Sequence, residues 1–111
     1  MGRHHHRAVT DYGARVAAIH DVRLEAAREL AESAETTLAT TALDAFFDVD
    51  MDGVVITTPS LVRLEPTEMA CDRGIPVTVE KPPALNMAEG RKCFECIEKA
   101  DVIAAVGFQL R

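Results

Sequence analysis

The sequence has no tryptophan, one tyrosine and four phenylalanines among its 111 residues, which argues against a core built on large aromatic side chains. It also has no apolar run near the roughly 18 residues that a membrane-spanning helix needs. Its first residues are not a basic segment followed by an apolar one, as a signal peptide would be. These absences predict a protein that has no membrane partner and is not exported.

Positive charge is scarce as well. Twelve Lys and Arg residues stand against eighteen Asp and Glu residues, which gives a formal net charge of −6. Nucleic-acid binding depends on clustered Lys and Arg, so nucleic acid is not the expected partner. There are three cysteines, an odd number without an export signal, and this favours reduced thiols and a cytoplasmic location.

What the chain does contain is a regular alternation of apolar segments. Apolar residues make up 48% of the sequence, enough for a core in a chain with the length of one domain. Short β-branched runs alternate with helical patterns, which is typical of parallel βαβ units and predicts an α/β fold. The predicted strands are residues 15–20, 36–39, 53–58, 77–80 and 102–108, and the predicted helices are residues 3–11, 23–33, 43–47, 62–73 and 86–100.

Several residues in these elements have predicted structural roles. One face of the second helix is apolar and is formed by Leu24, Ala27, Leu30 and Ala31, and the core anchor of the third helix is Phe46 or Phe47. Val54, Val55 and Ile56 are consecutive, so both faces of their strand are expected to be covered. The fourth helix tolerates Pro66 in its first turn and ends at Gly74. The last helix begins at Asn86, with Glu89 as its capping partner.

Two of these strands end on polar or proline residues. Ligands of open α/β sheets bind beyond the carboxyl ends of the strands, so Thr58, Pro59, Glu80 and Lys81 are predicted to line the site. Lys81 is the strongest catalytic candidate, because a lysine at a strand end can hydrogen-bond a cofactor ribose and a substrate hydroxyl and can assist proton transfer. The alternative is a solvated surface lysine paired with Glu80.

The amino-terminal residues look like the end of a glycine-rich turn that enters a helix. Free N–H groups and the helix dipole attract phosphate there, so Met1 and Gly2 are candidates for cofactor binding. His4, His5 and His6 could instead be the remnant of a purification tag. A metal site is not predicted, since successive helical residues point about 100° apart and do not converge on one ion.

Asp21 follows the strand that ends at His20 and lies nineteen residues after Gly2. A carboxylate there is suited to accept hydrogen bonds from both ribose hydroxyls of an adenosine, which favours NAD. The alternative role is an N-cap for the following helix, and the two roles can coexist. Arg23 keeps NADP open, because a guanidinium could bind a 2′-phosphate.

Cys93 and Cys96 form a C-x-x-C pattern, but it lies inside a predicted helix and not at a helix N-terminus. Cys93 shares a helix face with Ile97 and Ala100. We therefore interpret these cysteines as small core residues and predict no thiol-redox function.

Five segments together resemble the Gfo/Idh/MocA family of NAD(P)-dependent oxidoreductases, which act on sugars, inositols and related polyols. The segments are M-G-R-H-H at 1–5, A-A-I-H-D at 17–21, V-V-I-T-T-P-S at 54–60, V-T-V-E-K-P at 77–82 and A-V-G-F-Q-L-R at 105–111. The resemblance implies a Rossmann-like, doubly wound parallel sheet with adenosine contacts at Asp21, contacts from Thr58 and Pro59 along the cofactor, and the nicotinamide near Glu80. It also implies that Lys81 contacts substrate and cofactor during hydride transfer.

The resemblance implies further features that this sequence does not contain. Family members have a first, central strand and two glycines before the position of Gly2, and a carboxy-terminal α/β domain that supplies an Asp and a His. They often carry a histidine where this chain has Arg63. We therefore expect residues 1–111 to be a partial dinucleotide-binding domain of a longer enzyme, inactive on its own and homo-oligomeric at full length.

Two other interpretations remain open at the level of sequence. The chain could be a non-catalytic nucleotide-binding or partner-binding remnant, and restoring activity with a carboxy-terminal half would separate this from the first interpretation. It could also be a decayed gene product, which predicts insolubility and no binding.

Overall fold

The computed structural model describes residues 2–33, 36 and 38–107, and its strands and helices alternate as predicted for an α/β protein. The strands are β1 (Ala18–His20), β2 (Leu38–Thr40), β3 (Val54–Ile56), β4 (Val77–Glu80) and β5 (Ala104–Gly107). The helices are α1 (Gly2–Asp11), α2 (Leu24–Glu32), α3 (Leu43–Phe47), α4 (Leu64–Asp72) and α5 (Met87–Ala100), with a 3-10 turn at Ser60–Val62. The expectations for Met1 and Phe108 lie outside the described residues.

The chain divides into two compact units, Met1–Asp50 and Met51–Arg111. In the first unit β1 pairs with β2 in parallel, and in the second unit β4 lies between β3 and β5, again in parallel. Parallel neighbours need a crossover connection, and α2, α4 and α5 supply it between successive strands. This is the pairing that the predicted Rossmann-like order gives for every strand after the first.

The first unit buries small residues on α2 and one aromatic ring from α3. Ala27 and Ala31, one helical turn apart, are buried on the face of α2 that the sequence pattern predicted. Of the two predicted aromatic anchors, Phe47 is buried, and the Phe46 ring meets it edge-on at a centroid distance of 5.0 Å. The core here depends on close approach of small side chains.

The second unit has its core along one face of the sheet. Val54 and Ile56 on β3, and Val77 and Val79 on β4, are buried. The prediction that both faces of β3 are covered is wrong for Val55, which is 38% exposed. Successive strand residues point to opposite faces, so a run of three apolar residues buries its first and third members on one side.

Element boundaries differ from the predicted ones by a few residues. Helix α4 begins at Leu64 because residues 60–62 form the 3-10 turn, and Pro66 is accommodated in the first helical turn, where its missing N–H is not needed. Gly74, with φ +67°, follows the end of α4 as predicted. Strand β1 is only three residues long, since its register with β2 covers three positions. None of the described helices is long and apolar enough to cross a bilayer.

Candidate functional site

The carboxyl edge of the three-stranded sheet brings two predicted segments together. The parallel register pairs Ile56 with Val79, so the turns that follow β3 and β4 leave the sheet at the same edge. Thr58 lies in the first of these turns, Glu80 is the last residue of β4, and Lys81 begins the second turn. The sequence predicted this juxtaposition from the strand ends alone.

Arg63 physically connects the two turns. Its Nε donates to the Thr58 carbonyl oxygen over 2.5 Å, and one terminal nitrogen, Nη1, donates to the Glu80 carbonyl oxygen, also over 2.5 Å. The same terminal nitrogen donates to the Pro82 carbonyl oxygen. Arg63 is only 6% exposed, so its guanidinium is an internal part of the site. The sequence predicted no role for Arg63.

The local structure explains how an arginine comes to lie there. Arg63 stands between the 3-10 turn and α4, and its own carbonyl oxygen accepts hydrogen bonds from the Thr67 hydroxyl at 2.7 Å and the Thr67 N–H at 3.2 Å. Burial lowers the pKa of the guanidinium, and the Glu80 carboxylate opposes that change. A guanidinium stays charged in proteins, so this site contains a buried positive charge held by carbonyl dipoles.

Glu80 is 5% exposed, although it ends a strand at the sheet edge. Its partner in the register with β5 is Gly107, and a Cβ atom at that position would lie 3.1 Å from Oε1 of Glu80. The missing side chain of Gly107 therefore leaves room for the carboxylate above β5. In the sequence, Gly107 is only one residue of the segment 105–111. Its pairing with Glu80 follows from the register between β4 and β5.

Lys81 and Thr58 differ in environment. Lys81 is exposed, and its peptide bond to Pro82 is cis. Thr58 is half-buried, and its Oγ1 is buried without a hydrogen-bond partner among the residues that the structure describes. A buried hydroxyl without a partner is costly, so Oγ1 of Thr58 is a polar atom that a bound ligand could satisfy.

Asp21 lies in the first unit, directly after β1. Its N–H donates to the Thr40 carbonyl oxygen at 3.2 Å, which extends the β1–β2 pairing, and its Oδ1 accepts from the Arg23 N–H at 2.8 Å. Asp21 is not the N-cap of α2: that position is Arg23, which has no side-chain capping bond. The Asp21 carboxylate instead makes a local two-residue turn, which fixes its orientation beyond the strand.

Helix α1 begins at Gly2, one residue earlier than predicted, so this residue lies in the first turn. The helix continues through His4, His5 and His6. Among residues 2–33, 36 and 38–107, no group of three or more His, Cys, Asp or Glu side chains could hold a metal ion.

The cysteines lie together between α4 and α5. Cys93 is buried, as predicted for a small core residue, whereas Cys96 is only half-buried. Cys71 on α4 is also buried, and the Cys96 thiol donates a hydrogen bond to Sγ of Cys71 at 3.4 Å. Burial is the main cause that raises the pKa of each thiol, and for Cys96 the hydrogen bond to Cys71 adds to it and takes the pKa to about 12. All three are free cysteines. The C-x-x-C pattern did not predict the contact between Cys96 and Cys71, because Cys71 lies on α4 and Cys96 on α5.

Comparison with known proteins decides the family. A family model described as an oxidoreductase family with an NAD-binding Rossmann fold, GFO_IDH_MocA, matches residues 1–108. The chain belongs to this family. It is an α/β domain of the NAD-binding Rossmann type, and NAD is its cofactor. The recognition made from the five sequence segments is confirmed.

Two curated relatives and one solved structure illustrate the similarity. The rhizopine catabolism protein MocA of Rhizobium meliloti is 30% identical over 112 residues, which cover 100% of this chain and 35% of that protein. The inositol 2-dehydrogenase of Mycolicibacterium gilvum is 39% identical over 85 residues, which cover 74% of this chain and 24% of that protein. The structure of the WlbA dehydrogenase of Bordetella pertussis was solved with NADH and UDP-GlcNAcA. Its match to this chain has a TM-score of 0.87 and covers 96% of this chain and 31% of the WlbA chain. At 22% identity it shows the fold.

The chain therefore spans about a third or less of the length of these relatives.

Proposed function

We propose that this chain is the cofactor-binding part of an oxidoreductase that transfers a hydride between NAD and a sugar, an inositol or a related polyol. The observation that carries the proposal is the sheet edge at which Arg63 ties the Thr58 turn to the turn that bears Lys81. This edge is where ligands of open α/β sheets bind. The likeness to an inositol 2-dehydrogenase and to MocA supports the substrate class.

The residues of the chain suit a dinucleotide. The hydroxyl of Thr58 is buried without a described partner, the Asp21 carboxylate is fixed beyond β1, and Gly2 opens α1 without a side chain in the way. We assign ribose hydroxyls to Asp21, the pyrophosphate to Gly2, and contacts along the cofactor to Thr58 and Pro59. A contact between Met1 and the cofactor remains a prediction from the sequence alone.

NAD, when bound, supplies the acceptor or donor of a hydride. The residues at the sheet edge position the reactants and handle the proton. We propose that Nζ of Lys81 hydrogen-bonds a substrate hydroxyl. As the neutral amine it accepts the hydroxyl proton when the alcohol is oxidised to a carbonyl, and as the ammonium it returns that proton when the carbonyl is reduced. Glu80, buried beside Gly107, gives the turn a fixed starting point.

The rest of the assignment concerns the whole protein. We propose that residues 1–111 form a partial dinucleotide-binding domain and that substrate selection depends on parts of a longer enzyme. A cytoplasmic location is supported by the three free cysteines. Homo-oligomerisation at full length stays a prediction.

The experiment that tests the proposal is titration of NADH with the purified chain, followed by NADH fluorescence. The chain has no tryptophan, so its own emission does not interfere with the signal. We expect saturable binding, competed by NAD. No saturable binding at millimolar protein and cofactor would contradict the proposal.

Asp21→Asn tests the assignment of the ribose contact. Loss of a charged hydrogen-bond acceptor should weaken NADH binding about tenfold to a hundredfold, and should narrow the preference for NADH over NADPH because a repulsive charge is removed. Glu25→Gln is the matched control, since it removes an exposed carboxylate from the first turn of α2. Equal losses in both variants would mean that net charge, and not Asp21, governs affinity.

A further inference from the structure

Arg63 is buried and charged, and none of the cofactor or substrate contacts assigned above involves it. We propose that it is a positioning residue for Lys81, one that sets where the Lys81 turn lies relative to the Thr58 turn. This inference rests on the proposed function, because it assumes that Lys81 contacts cofactor and substrate. Arg63 itself is not placed in contact with either.

The hydrogen-bond pattern carries the inference. Lys81 lies between Glu80 and Pro82, and the carbonyl oxygens of both neighbours accept from the same terminal nitrogen of Arg63. The backbone that bears Lys81 is thus held on either side of it. The third bond, from Nε of Arg63 to the Thr58 carbonyl oxygen, connects this segment to the turn after β3.

A guanidinium is suited to this task in a way that other side chains are not. It is planar and presents five N–H donors in fixed directions, so it can bind several carbonyl groups at once without losing geometry. A lysine in its place keeps the charge but has one flexible nitrogen, and a glutamine has two N–H donors and no charge. Bonds from a charged donor are also stronger than neutral ones. Arg63→Lys and Arg63→Gln should therefore both weaken the hydrogen bonds that hold the Lys81 turn, Arg63→Gln more strongly.

The position of Arg63 makes its effect local. Its carbonyl oxygen is bound by Thr67, which belongs to α4, and its guanidinium reaches away from that helix to the sheet edge. Losing the guanidinium should therefore free the Lys81 turn, whereas losing the Thr67 hydroxyl should weaken the start of α4. These two effects can be separated by experiment.

The first measurement uses the ligand-free chain and ¹⁵N relaxation of the Lys81 amide. In the native chain we expect an order parameter near that of rigid backbone, about 0.85, and in Arg63→Gln a fall toward about 0.6. Arg63→Lys, the milder change, should give an intermediate value and covers the case in which Arg63→Gln does not fold. An unchanged Lys81 order parameter in a folded Arg63 variant would overturn the proposal.

Two control variants separate positioning from general stability. Thr67→Val removes the hydroxyl that binds the Arg63 carbonyl oxygen, and should lower the melting temperature without loosening Lys81. Arg73→Lys changes an exposed arginine beyond the far end of α4 and should change neither quantity. Equal loosening of Lys81 in Thr67→Val would show that Arg63 acts only through fold stability.

The second measurement is a double-mutant cycle on NADH affinity with Arg63→Lys and Lys81→Met. If Arg63 acts through Lys81, the single change Lys81→Met should weaken NADH binding about tenfold in the native chain, but only about threefold once Arg63 is lysine. The same loss in both backgrounds would overturn the proposal. If the native chain binds no NADH, the proposed function fails, and the order parameters still decide whether Arg63 positions Lys81.

Discussion

At the scale of single residues, the cysteines show how tertiary contacts change side-chain chemistry. Cys71 and Cys93 are buried, and the Cys96 thiol on the neighbouring helix donates a hydrogen bond to Sγ of Cys71. Burial raises the pKa of all three thiols, most clearly for Cys96. Nucleophilic attack requires a thiolate, so these cysteines are poorly suited to thiol chemistry near neutral pH. That agrees with their interpretation as core residues.

This shift predicts how stability depends on pH. The pKa of Cys96 rises from 9.0 to about 12 on folding, so the folded chain keeps a proton that the unfolded chain releases. The contribution of the Cys96 thiol to the free energy of unfolding is complete below about pH 9 and is lost as the pH rises toward about 12. Urea unfolding of the native chain and of Cys96→Ala gives the free energy of unfolding at about pH 8 and about pH 10. Between these two pH values, the free energy should fall less in Cys96→Ala than in the native chain. A larger or equal fall in Cys96→Ala would contradict the prediction.

At the scale of elements, α5 is defined at both ends by local chemistry. The Asn86 side chain accepts from the Glu89 N–H at 3.0 Å, and the Glu89 carboxylate accepts in return from the Leu85 N–H at 3.3 Å. This is close to the predicted capping box, except that Glu89 reaches one residue further back than the N-cap. The other end closes on Asp101, which has a left-handed backbone with φ 53°.

Changes at the two ends of α5 should have opposite signs. Asn86→Ala removes the cap and should lower the free energy of unfolding by about 1 kcal/mol. The left-handed backbone at Asp101 is unfavourable for a residue with a Cβ atom and is readily adopted by glycine. Asp101→Gly should therefore raise the free energy of unfolding by less than about 1 kcal/mol. Both values come from urea denaturation of the ligand-free chain. A stabilising Asn86→Ala would show that the cap is not formed in solution.

At the scale of the whole molecule, burial is unevenly distributed between the two units. Strand β4 has neighbours on both sides and has three buried residues, whereas the residues of β1 and β2 are all half-buried. Helix α1 has no buried residue among those that the structure describes. Regions with little burial open at lower free energy than central strands do.

Native-state hydrogen exchange should follow this distribution. We expect the amides of β4 to exchange most slowly, those of β1 and β2 faster, and those of α1 fastest among the helices. Mass spectrometry on proteolytic fragments after timed exchange measures the order. Slower exchange in β1 than in β4 would mean that the first unit is the more stable one.

The sequence predicted most of the fold because its signals are local. Gly74 marks the end of α4, Asn86 marks the start of α5, and apolar runs mark β3 and β4. Boundaries were less accurate, since β1 is only as long as its pairing with β2 and not as long as its apolar run. Val55 was misjudged for a related reason, because its exposure depends on what covers the second face of the strand.

The sequence by itself determined the alternation of strands and helices, the family, the dinucleotide class of the cofactor, and the two strand ends that approach one edge of the sheet. These follow from periodicity, from turn residues and from short motifs, which act between residues close in the chain. Only the tertiary structure decided that Arg63 joins the Thr58 and Lys81 turns, that Gly107 makes room for Glu80, and that Cys96 meets Cys71. Each of these contacts joins residues from different elements, and the register and packing that bring them together are not written in any single segment.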